Sequence, residues 1–390
     1  MLVCAKTAQF PQEAPMSVKA PPKLNVVSSD SHVVEPPDLW QRHIEPKYRD
    51  RAPHLKRGEK GDVHWCDGGV TLVDVALLSS GGKNPEEIDL DTARYDRDVR
   101  KGGYDPKARL ADMAMDGIDA EVLYPTLGLR MYEIQDLGYR KACFEAYNRW
   151  LAEEYVKGHR DIFRGVAMVT LDDIPWSVEE ARKAKKAGLD GLMISVTSHD
   201  RRYESTVFDP VWAVAEELEM PVTMHLATMR SKMVLETPPD TIEMCLEAAW
   251  TLGTLIFSGV FLRFPKLKVI SAENDAGWMA YYLWRSDFSK GGNLKRITRG
   301  RGHALSSQSL LPSEIFRRNV YMSFQRDRSA VQMRQLIGPD NLMWGADYPH
   351  LEGTWPISRQ TFDWLFAGIP EADKRKMIRD NCAKLYGWEM

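Results

Sequence analysis

Short runs of apolar residues recur along the chain and are separated by longer amphipathic stretches. Eight of these runs have the three or four mostly aliphatic residues that are typical of strands buried on both faces of a parallel sheet. They lie at 26–28, 120–123, 165–168, 191–194, 221–224, 268–270, 319–322 and 342–344. Eight strands that alternate with helical stretches predict either a closed (β/α)₈ barrel or a doubly wound sheet.

The stretches between the runs contain candidate amphipathic helices at 141–158, 178–187, 209–219, 359–367 and 371–385. Gly188 follows the second of them, as glycine often does at the C-terminus of a helix. Asp209 and Pro210 open the third, which places an N-cap residue before a proline at the first helical position.

Three segments depart from this alternation. Residues 1–24 are rich in proline and alanine and predict an N-terminal arm or a disordered tail, which leaves 25–390 as one barrel domain. Residues 50–105 are polar and rich in glycine, and they predict an insertion after the first strand. Residues 289–312 are basic and rich in glycine and serine, and they predict a second insertion after the sixth strand. Long loops of this kind are usually functional.

Composition narrows the function classes. The 390 residues suit a barrel with insertions. The formal net charge of -3 gives no support for nucleic acid or a membrane as a partner. No apolar run approaches the roughly 20 residues that a spanning helix needs, and no secretory signal is evident. The five cysteines are odd in number and form no C-x-x-C pair, so we expect a reduced, cytoplasmic protein.

Residues that can bind a metal follow three of the predicted strands. Asp30 and His32 follow the first run, His225 ends the fifth, and Asp347 comes shortly after the eighth. Side chains alternate in an extended segment, so Asp30 and His32 point to the same side. In a (β/α)₈ barrel the C-terminal ends of the strands meet at the active site. Each of these residues alone could simply belong to a turn or a helix cap. Their occurrence together at the ends of three predicted strands predicts a site for zinc or manganese.

Four segments carry a resemblance to a known family: SSDSHVVEPPDLW, MPVTMHLA, FPKLKVISAENDAGW and NLMWGADYPH. From about residue 25 to the C-terminus the chain resembles the amidohydrolase superfamily, in the branch typified by 2-amino-3-carboxymuconate-6-semialdehyde decarboxylase. The resemblance implies a distorted (β/α)₈ barrel. It also implies that Asp30, His32 and His225 are metal ligands, and that Asp347 is a ligand that can accept a proton from metal-bound water.

One position departs from the family pattern. Where the family often has a histidine after the sixth strand, this chain has Glu273. Glu273 is therefore a candidate metal ligand or general base, with a structural carboxylate paired to an arginine as the alternative. With Glu273 the set contains three carboxylates and two histidines, which could also suit manganese, iron or two metals.

Other residues near the strand ends have two interpretations each. His350 is a candidate catalytic residue or a support for the ligands. Arg230 and Arg326 are candidates for binding a substrate carboxylate, with surface ion pairs as the alternative. His199 is a weaker ligand candidate. The aromatic segment 278–284 predicts core packing or a substrate wall, and Cys245 predicts a small buried hydrophobic residue.

The resemblance implies a metal-dependent enzyme that acts on a small carboxylated substrate, aromatic or conjugated, by non-oxidative decarboxylation or by hydrolysis. A divalent metal is expected, with zinc first and manganese or iron as alternatives. Two other functions stay open: a dinuclear iron or manganese oxygenase, and an inactive subunit of such an enzyme. The N-terminal arm and the insertions suggest a homodimer or higher oligomer.

Overall fold

The computed structural model describes residues 24–389 apart from 60, 68–70, 76–79, 85, 87, 89–91, 199–201, 229–237, 291–304 and 306–308. The predicted arm therefore lies outside the described residues, except for the buried Leu24. Most of the predicted insertion at 289–312 lies outside them as well. In the part of the chain that is described, no helix is both long and apolar enough to cross a membrane.

Eight parallel strands form the barrel predicted from the apolar runs, and each strand pairs with the next one along the chain. In order they are Val27–Val33, Ala120–Pro125, Phe163–Met168, Gly191–Ile194, Val222–His225, Val269–Ala272, Val320–Phe324 and Leu342–Trp344. We number them barrel strands 1 to 8. Almost every residue in them is buried, because side chains point either into the barrel or against the helices around it. The (β/α)₈ barrel is confirmed, and the doubly wound sheet is wrong.

Hydrogen bonds close the barrel between strands 1 and 8. The Ser29 hydroxyl donates to the carbonyl of Trp344 at 3.1 Å. The backbone amide of Ala346 donates to the Ser28 hydroxyl at 2.8 Å, and that of Asp347 donates to the carbonyl of Asp30 at 2.8 Å. The segment that follows strand 8 is thus held beside the Asp30 end of strand 1.

Helices surround the barrel, and each of the five stretches predicted to be helical contains helix. The α-helices are Leu39–His43, Tyr95–Asp98, Pro106–Asp116, Leu137–Trp150, Ile174–Ala187, Asp209–Glu217, Pro238–Ser258, Val260–Arg263, Met279–Lys290, Pro312–Asn319, Arg328–Gln332, Arg334–Ile337, Ser358–Leu365, Glu371–Arg375 and Asn381–Tyr386. Shorter 3₁₀ segments lie at Pro46–Arg51, Lys101–Gly103, Leu127–Glu133, Thr206–Phe208 and Pro339–Asn341, and π-helical turns at Leu151–Val156 and Lys376–Asp380.

Two local helix signals have different outcomes. Gly188 has a φ of +101° and ends the helix Ile174–Ala187, as predicted. The N-cap prediction for Asp209 is wrong, because this residue is already helical and Phe208 precedes it. The Asp209 carboxylate instead accepts two hydrogen bonds from Arg263, at 2.8 and 2.9 Å.

The insertion after barrel strand 1 contains a three-stranded antiparallel sheet that the sequence patterns did not reveal. Its strands are His54–Gly58, Gly61–Trp65 and Thr71–Asp74. A Cβ atom on Gly81 would lie 2.6 Å from the carbonyl oxygen of Pro349, so the insertion touches the loop that follows strand 8. The Tyr95 hydroxyl contacts the carbonyls of Val34 and Glu35, both at 3.2 Å. These contacts hold the insertion against the segments that follow strands 1 and 8.

Candidate metal centre

Four side chains converge where barrel strands 1, 5 and 8 end. Asp30, His32, His225 and Asp347 are all fully buried. Nε2 of His225 lies 3.3 Å from Oδ1 of Asp30, and Nε2 of His32 lies 3.5 Å from the same oxygen. Nε2 of His32 also lies 3.3 Å from Oδ1 of Asp347. The structure therefore brings together four of the ligand candidates of the sequence, and Glu273 is not among them.

Backbone carbonyls orient both imidazole rings. Nδ1 of His32 lies 2.8 Å from the carbonyl oxygen of Pro125, and Nδ1 of His225 lies 2.9 Å from that of Leu226. A hydrogen bond donated by Nδ1 fixes the tautomer in which Nε2 carries the lone pair. Both lone pairs then point at the space between Asp30 and Asp347.

The polar atoms around this space lack enough protein partners. Nε2 of His32, Oδ2 of Asp30 and both carboxylate oxygens of Asp347 are buried without a hydrogen bond from the described residues. Burying unpaired carboxylate oxygens is costly, and such atoms usually bind a cation or an ordered polar partner. Two imidazole nitrogens and two carboxylates are a suitable donor set for a divalent metal. The residues present thus fit such an ion.

Electrostatics favour the cation-binding forms of His32 and Asp30, whereas they favour the protonated form of His225. Burial, reinforced by nearby His350, lowers the pKa of His32 to about 4, so its ring is neutral at pH 7. Burial alone would raise the pKa of the Asp30 carboxyl, but His225 and His32 outweigh it and hold that pKa below its ordinary value. Burial likewise opposes protonation of His225, but the Asp30 carboxylate outweighs it and raises the pKa of His225.

The backbone around Asp347 is unusual and is held by close packing. Asp347 has a φ of +51°, in the left-handed region that residues with a Cβ rarely adopt. Two residues earlier, a Cβ atom on Gly345 would lie 2.5 Å from Cβ of Asp30. Glycine at 345 therefore lets strand 8 come close enough to strand 1 for Asp30 and Asp347 to share one site.

His350 lies at the edge of the site. Its Nδ1 is 3.0 Å from Oδ1 of Asp347, and its Nε2 is 3.0 Å from the Thr126 hydroxyl. The ring stacks on that of His32 with a centroid distance of 4.0 Å. With Asp347 and His32 it forms a second group whose ligand atoms lie within 4.8 Å of one another. An imidazole in this position can exchange a proton with Asp347.

Glu273 lies beside the site rather than among its central atoms. Its Oε2 is 3.7 Å from Nδ1 of His225, on the side of that ring away from Asp30. It belongs to neither of the close groups of ligand atoms among the described residues. Burial, together with the carboxylates of Asp347 and Asp30, raises the pKa of Glu273 well above its ordinary value. Its backbone φ of +57° is also in the left-handed region.

The remaining candidates have varied placements. Arg326 is exposed and donates a hydrogen bond to the carbonyl of Gly353 at 2.9 Å. Arg230 and His199 lie outside the described residues. The prediction that Cys245 is buried is wrong, because it is only partly buried on its helix. Core packing of the segment 278–284 is also wrong in part, because Trp284 is 60% exposed.

A buried ion pair beneath the site escaped the sequence patterns. Nε of Arg109 lies 2.7 Å from Oε2 of Glu121, and both side chains are buried. Nη1 of Arg109 donates to the carbonyl of His32 at 2.8 Å, while the Ser31 hydroxyl donates to Glu121 at 3.1 Å. The guanidinium also lies 4.0 Å from the ring centroid of Tyr348. In the sequence, the charged residue Glu121 inside an apolar strand run was the feature that could have indicated this ion pair.

Glu35 is a second residue that was missed. Its fully buried carboxylate accepts hydrogen bonds from the backbone amides of Thr126, Leu127 and Gly128, at 3.3, 2.9 and 3.0 Å. Thr126 in turn contacts His350 through its hydroxyl. Glu35 thus anchors the loop after strand 2 that supports one side of the site. In the sequence, the position of Glu35 three residues after His32 was the feature that could have indicated this role.

Comparisons with known proteins identify related sequences. The family model described as "Amidohydrolase" matches residues 43–388. The chain is 23% identical to a 2-amino-3-carboxymuconate-6-semialdehyde decarboxylase from Dictyostelium discoideum, over 75% of this chain and 80% of that protein.

Solved structures share the fold. An amidohydrolase from Mycobacterium avium subsp. paratuberculosis K-10 superposes with a TM-score of 0.76 at 24% identity, over 93% of this chain and 99% of that one. A 5-carboxyvanillate decarboxylase from Novosphingobium aromaticivorans DSM 12444, with bound manganese and 3-methoxy-4-hydroxy-5-nitrobenzoic acid, superposes with a TM-score of 0.67 at 19% identity, over 93% and 97% of the two chains. Because the family model spans most of its length, the chain belongs to the amidohydrolase family, as its motifs suggested.

Proposed function

We propose that this protein is a metal-dependent enzyme that removes the carboxylate of a small aromatic or conjugated acid as CO₂ without oxidation. The observation that carries the proposal is the buried set of Asp30, His32, His225 and Asp347. Three of these residues, Asp30, His32 and Asp347, have buried polar atoms without a hydrogen bond from the described residues. Relatives that are named decarboxylases support the reaction, and the ring acid bound in one related structure supports the substrate class.

Decarboxylation replaces a carbon–carboxylate bond by a carbon–hydrogen bond, so the protein has to supply one proton at the carbon that loses CO₂. A divalent metal bound here would supply positive charge for the oxygens of the acid. Asp347 and His350 are the proton carriers of the proposal, since Oδ1 of the first lies 3.0 Å from Nδ1 of the second. Thr126 holds the other nitrogen of His350 and keeps the ring directed at Asp347.

Hydrolysis is the second candidate, and one observation favours it. Both carboxylate oxygens of Asp347 are buried without a hydrogen bond from the described residues, so the group can accept a proton from an attacking water. The oxygenase alternative requires Glu273 as an additional ligand. Its carboxylate lies beside His225 and outside the close ligand groups, which does not favour that alternative.

Zinc is the metal we propose, because two imidazoles and two carboxylates can satisfy its four-coordinate preference. Manganese is the second metal to test, since a related decarboxylase structure holds it. We propose that Glu273 is a second proton-carrying residue beside His225. We further propose Arg230 and Arg326 as substrate-binding residues, and Arg326 would need to exchange its hydrogen bond to Gly353 for the acid.

Product analysis tests the reaction. The apo-protein is loaded with zinc, manganese or iron and incubated with hydroxylated and methoxylated benzoic acids in D₂O. Decarboxylation predicts CO₂ and a product with one deuterium at the vacated carbon, in anaerobic and aerobic buffer alike. The variant His225→Ala serves as the control and should be inactive. Ester or lactone hydrolysis without CO₂ would favour the hydrolase, and strict dependence on O₂ would favour the oxygenase.

We also propose a homodimer in the cytoplasm. The described cysteines, Cys66, Cys143, Cys245 and Cys382, are free thiols, which suits a reducing compartment. Fractionation of cells that express the full chain tests the location, and recovery outside the cytoplasmic fraction would contradict it. Light scattering tests the assembly, and the mass of a single 44.5 kDa chain would contradict it.

A further inference from the structure

A cavity lies at the end of the barrel opposite the proposed metal centre. Its volume is about 610 Å³, within the range of roughly 300–1,000 Å³ that is usual for small-molecule sites. Pro221 and Lys268 line it immediately before barrel strands 5 and 6 begin, and Tyr321 lines it from strand 7. The proposed metal ligands lie near the other ends of the strands, so a molecule in this cavity would not reach them.

Lys268 is a half-buried cation in the lining of this cavity. Its ammonium donates a hydrogen bond to the backbone carbonyl of Arg318 at 2.6 Å. Burial lowers the pKa of Lys268, and the nearby charges of Arg318 and Lys384 lower it further. No carboxylate of the described residues offsets these effects. An ammonium that is partly withdrawn from water beside like charges would be stabilised by an anion placed next to it.

Arg318 and Lys384 also lack a carboxylate partner in the part of the chain that the structure describes. The Arg318 guanidinium donates to neutral oxygens, which are the carbonyl of Phe261 at 2.6 Å and the side chain of Asn319 at 2.8 Å. Lys384 is exposed and lines the cavity from the helix Asn381–Tyr386. Three positive charges therefore lie near one another without a protein counter-charge.

The carboxylates that line the cavity do not supply that counter-charge. The closest ion pair of Asp190 is with Arg160, at 3.0 Å. The carboxylate of Glu216 accepts a hydrogen bond from the backbone amide of Lys266 at 2.6 Å, and Glu219 is exposed to solvent. Residues 1–23, which lie outside the described part of the chain, contain three lysines and one glutamate, so they add no net negative charge.

The lining indicates the chemical class of the ligand. A phosphate monoester carries about −1.5 to −2 charges at pH 7, so it matches several cations better than a single carboxylate does. Lysine binds phosphate through its point charge and its three donors. Met220, Pro221 and Leu385 add apolar lining, and Tyr321 adds a ring. These groups suit an organic portion of low polarity attached to the phosphate.

We propose that this cavity is a binding site for a small organic phosphate whose oxygens accept hydrogen bonds from Lys268 and Lys384. The site is separate from the proposed metal centre, and the proposed decarboxylation does not use it. A phosphate bound to both lysines would link the start of barrel strand 6 to the helix Asn381–Tyr386. Because the two lysines come together only in the folded chain, the ligand would also raise the melting temperature.

Calorimetric titration of the full chain with phenyl phosphate tests the proposal. The wild type and His225→Ala should both bind it, because the cavity does not involve the metal centre. Adding Lys268→Met to either protein should weaken this binding by about tenfold or more, since a hydrogen bond between charged groups is lost. Lys183→Met is the matched control, because Lys183 is exposed and paired with Glu179 at 2.9 Å, and it should bind as the wild type does. The absence of binding to the wild type, or binding that His225→Ala abolishes and Lys268→Met leaves unchanged, would overturn the proposal.

Lysine acetylation of the wild type tests the same site without substitutions. Phenyl phosphate should slow the acetylation of Lys268 and Lys384 several-fold and leave that of Lys183 unchanged. Equal acetylation with and without phenyl phosphate would overturn the proposal, whether or not Lys268→Met folds. Equal protection by benzoate would overturn the assignment to phosphate, and equal protection by inorganic phosphate would overturn the role of the apolar lining. Neither measurement follows turnover, so their failure is distinguishable from failure of the proposed decarboxylation, which CO₂ release measures.

Discussion

Replacement of Arg109 by methionine should destabilise the protein far more than an ordinary surface change. The Arg109–Glu121 pair is completely buried, with the charged atoms 2.7 Å apart. Arg109→Met leaves the Glu121 carboxylate in the interior without its cation, and it removes the donor to the carbonyl of His32. Breaking a buried ion pair on one side costs about 3–5 kcal/mol of unfolding free energy.

The double variant Arg109→Met, Glu121→Met should be more stable than Arg109→Met alone. It removes both charges, and replacement of a whole buried pair by apolar side chains is often nearly neutral. The carbonyl of His32 still loses its donor, so about 1–3 kcal/mol of the cost should persist. Urea unfolding of the apo-proteins measures these differences. The reasoning would be refuted if the double variant lost as much unfolding free energy as the two single variants together. It would also be refuted if Arg109→Met alone lost less than about 1 kcal/mol.

The same substitution should weaken metal binding, because Arg109 holds the backbone of the ligand His32. Loss of a residue that orients a ligand typically weakens metal affinity by about 10–100-fold. Ile315→Ala is the matched control: Ile315 is buried on the distant helix Pro312–Asn319 and should cost about 2–5 kcal/mol with unchanged affinity. Equal affinity loss in both variants would mean that Arg109 supports the fold but does not position His32.

Three further predictions concern single residues. Gly345→Ala should lower the free energy of unfolding by about 1–3 kcal/mol and weaken metal binding, because the new methyl would lie 2.5 Å from Cβ of Asp30. Gly191→Ala is the control, because its methyl would meet its neighbours at 3.3 Å or more. This control should bind metal normally in the same titration. His350→Gln should lower kcat by about 10²–10⁴-fold while metal stoichiometry is unchanged, as expected for a proton carrier, and loss of metal would instead make it a ligand. Burial lowers the pKa of His64 to about 4. As the pH falls, this residue therefore takes up a proton in the unfolded chain before it does so in the folded one. The free energy of unfolding should consequently fall by about 3 kcal/mol between about pH 6.5 and pH 4. His64→Phe should flatten that dependence in urea titrations, and an unchanged slope would show that this ring is not the titrating group.

Apolar periodicity was sufficient to locate the eight barrel strands, because every strand is buried on both faces and so appears as a short aliphatic run. The choice of a closed barrel over a doubly wound sheet came from the family resemblance. It was insufficient for the insertion, where His54–Gly58 is largely exposed and polar and so resembles a loop. Periodicity also identifies the apolar face of a helix without saying what covers it. For that reason Trp284 was indistinguishable from a core residue until the structure exposed it.

The central ligands could be predicted because each lies near the C-terminal end of a barrel strand, and these ends meet in this fold. The residues that position them could not. Arg109 lies 77 residues after His32 on an amphipathic helix, where an arginine is ordinarily a solvated side chain, and only the folded chain brings the two together. The distance of Glu273 from the central atoms similarly depends on local backbone geometry, including its positive φ, that no spacing rule encodes.

Metal content per chain is the most direct test of the central claim that Asp30, His32, His225 and Asp347 bind a divalent cation. Elemental analysis of the purified full chain should give about one equivalent of zinc or manganese, and His225→Ala should lose it while the circular dichroism stays the same. Trp364→Glu, far from any ligand in the sequence, should keep the full equivalent. Wild-type stoichiometry retained in His225→Ala would contradict the site proposed here.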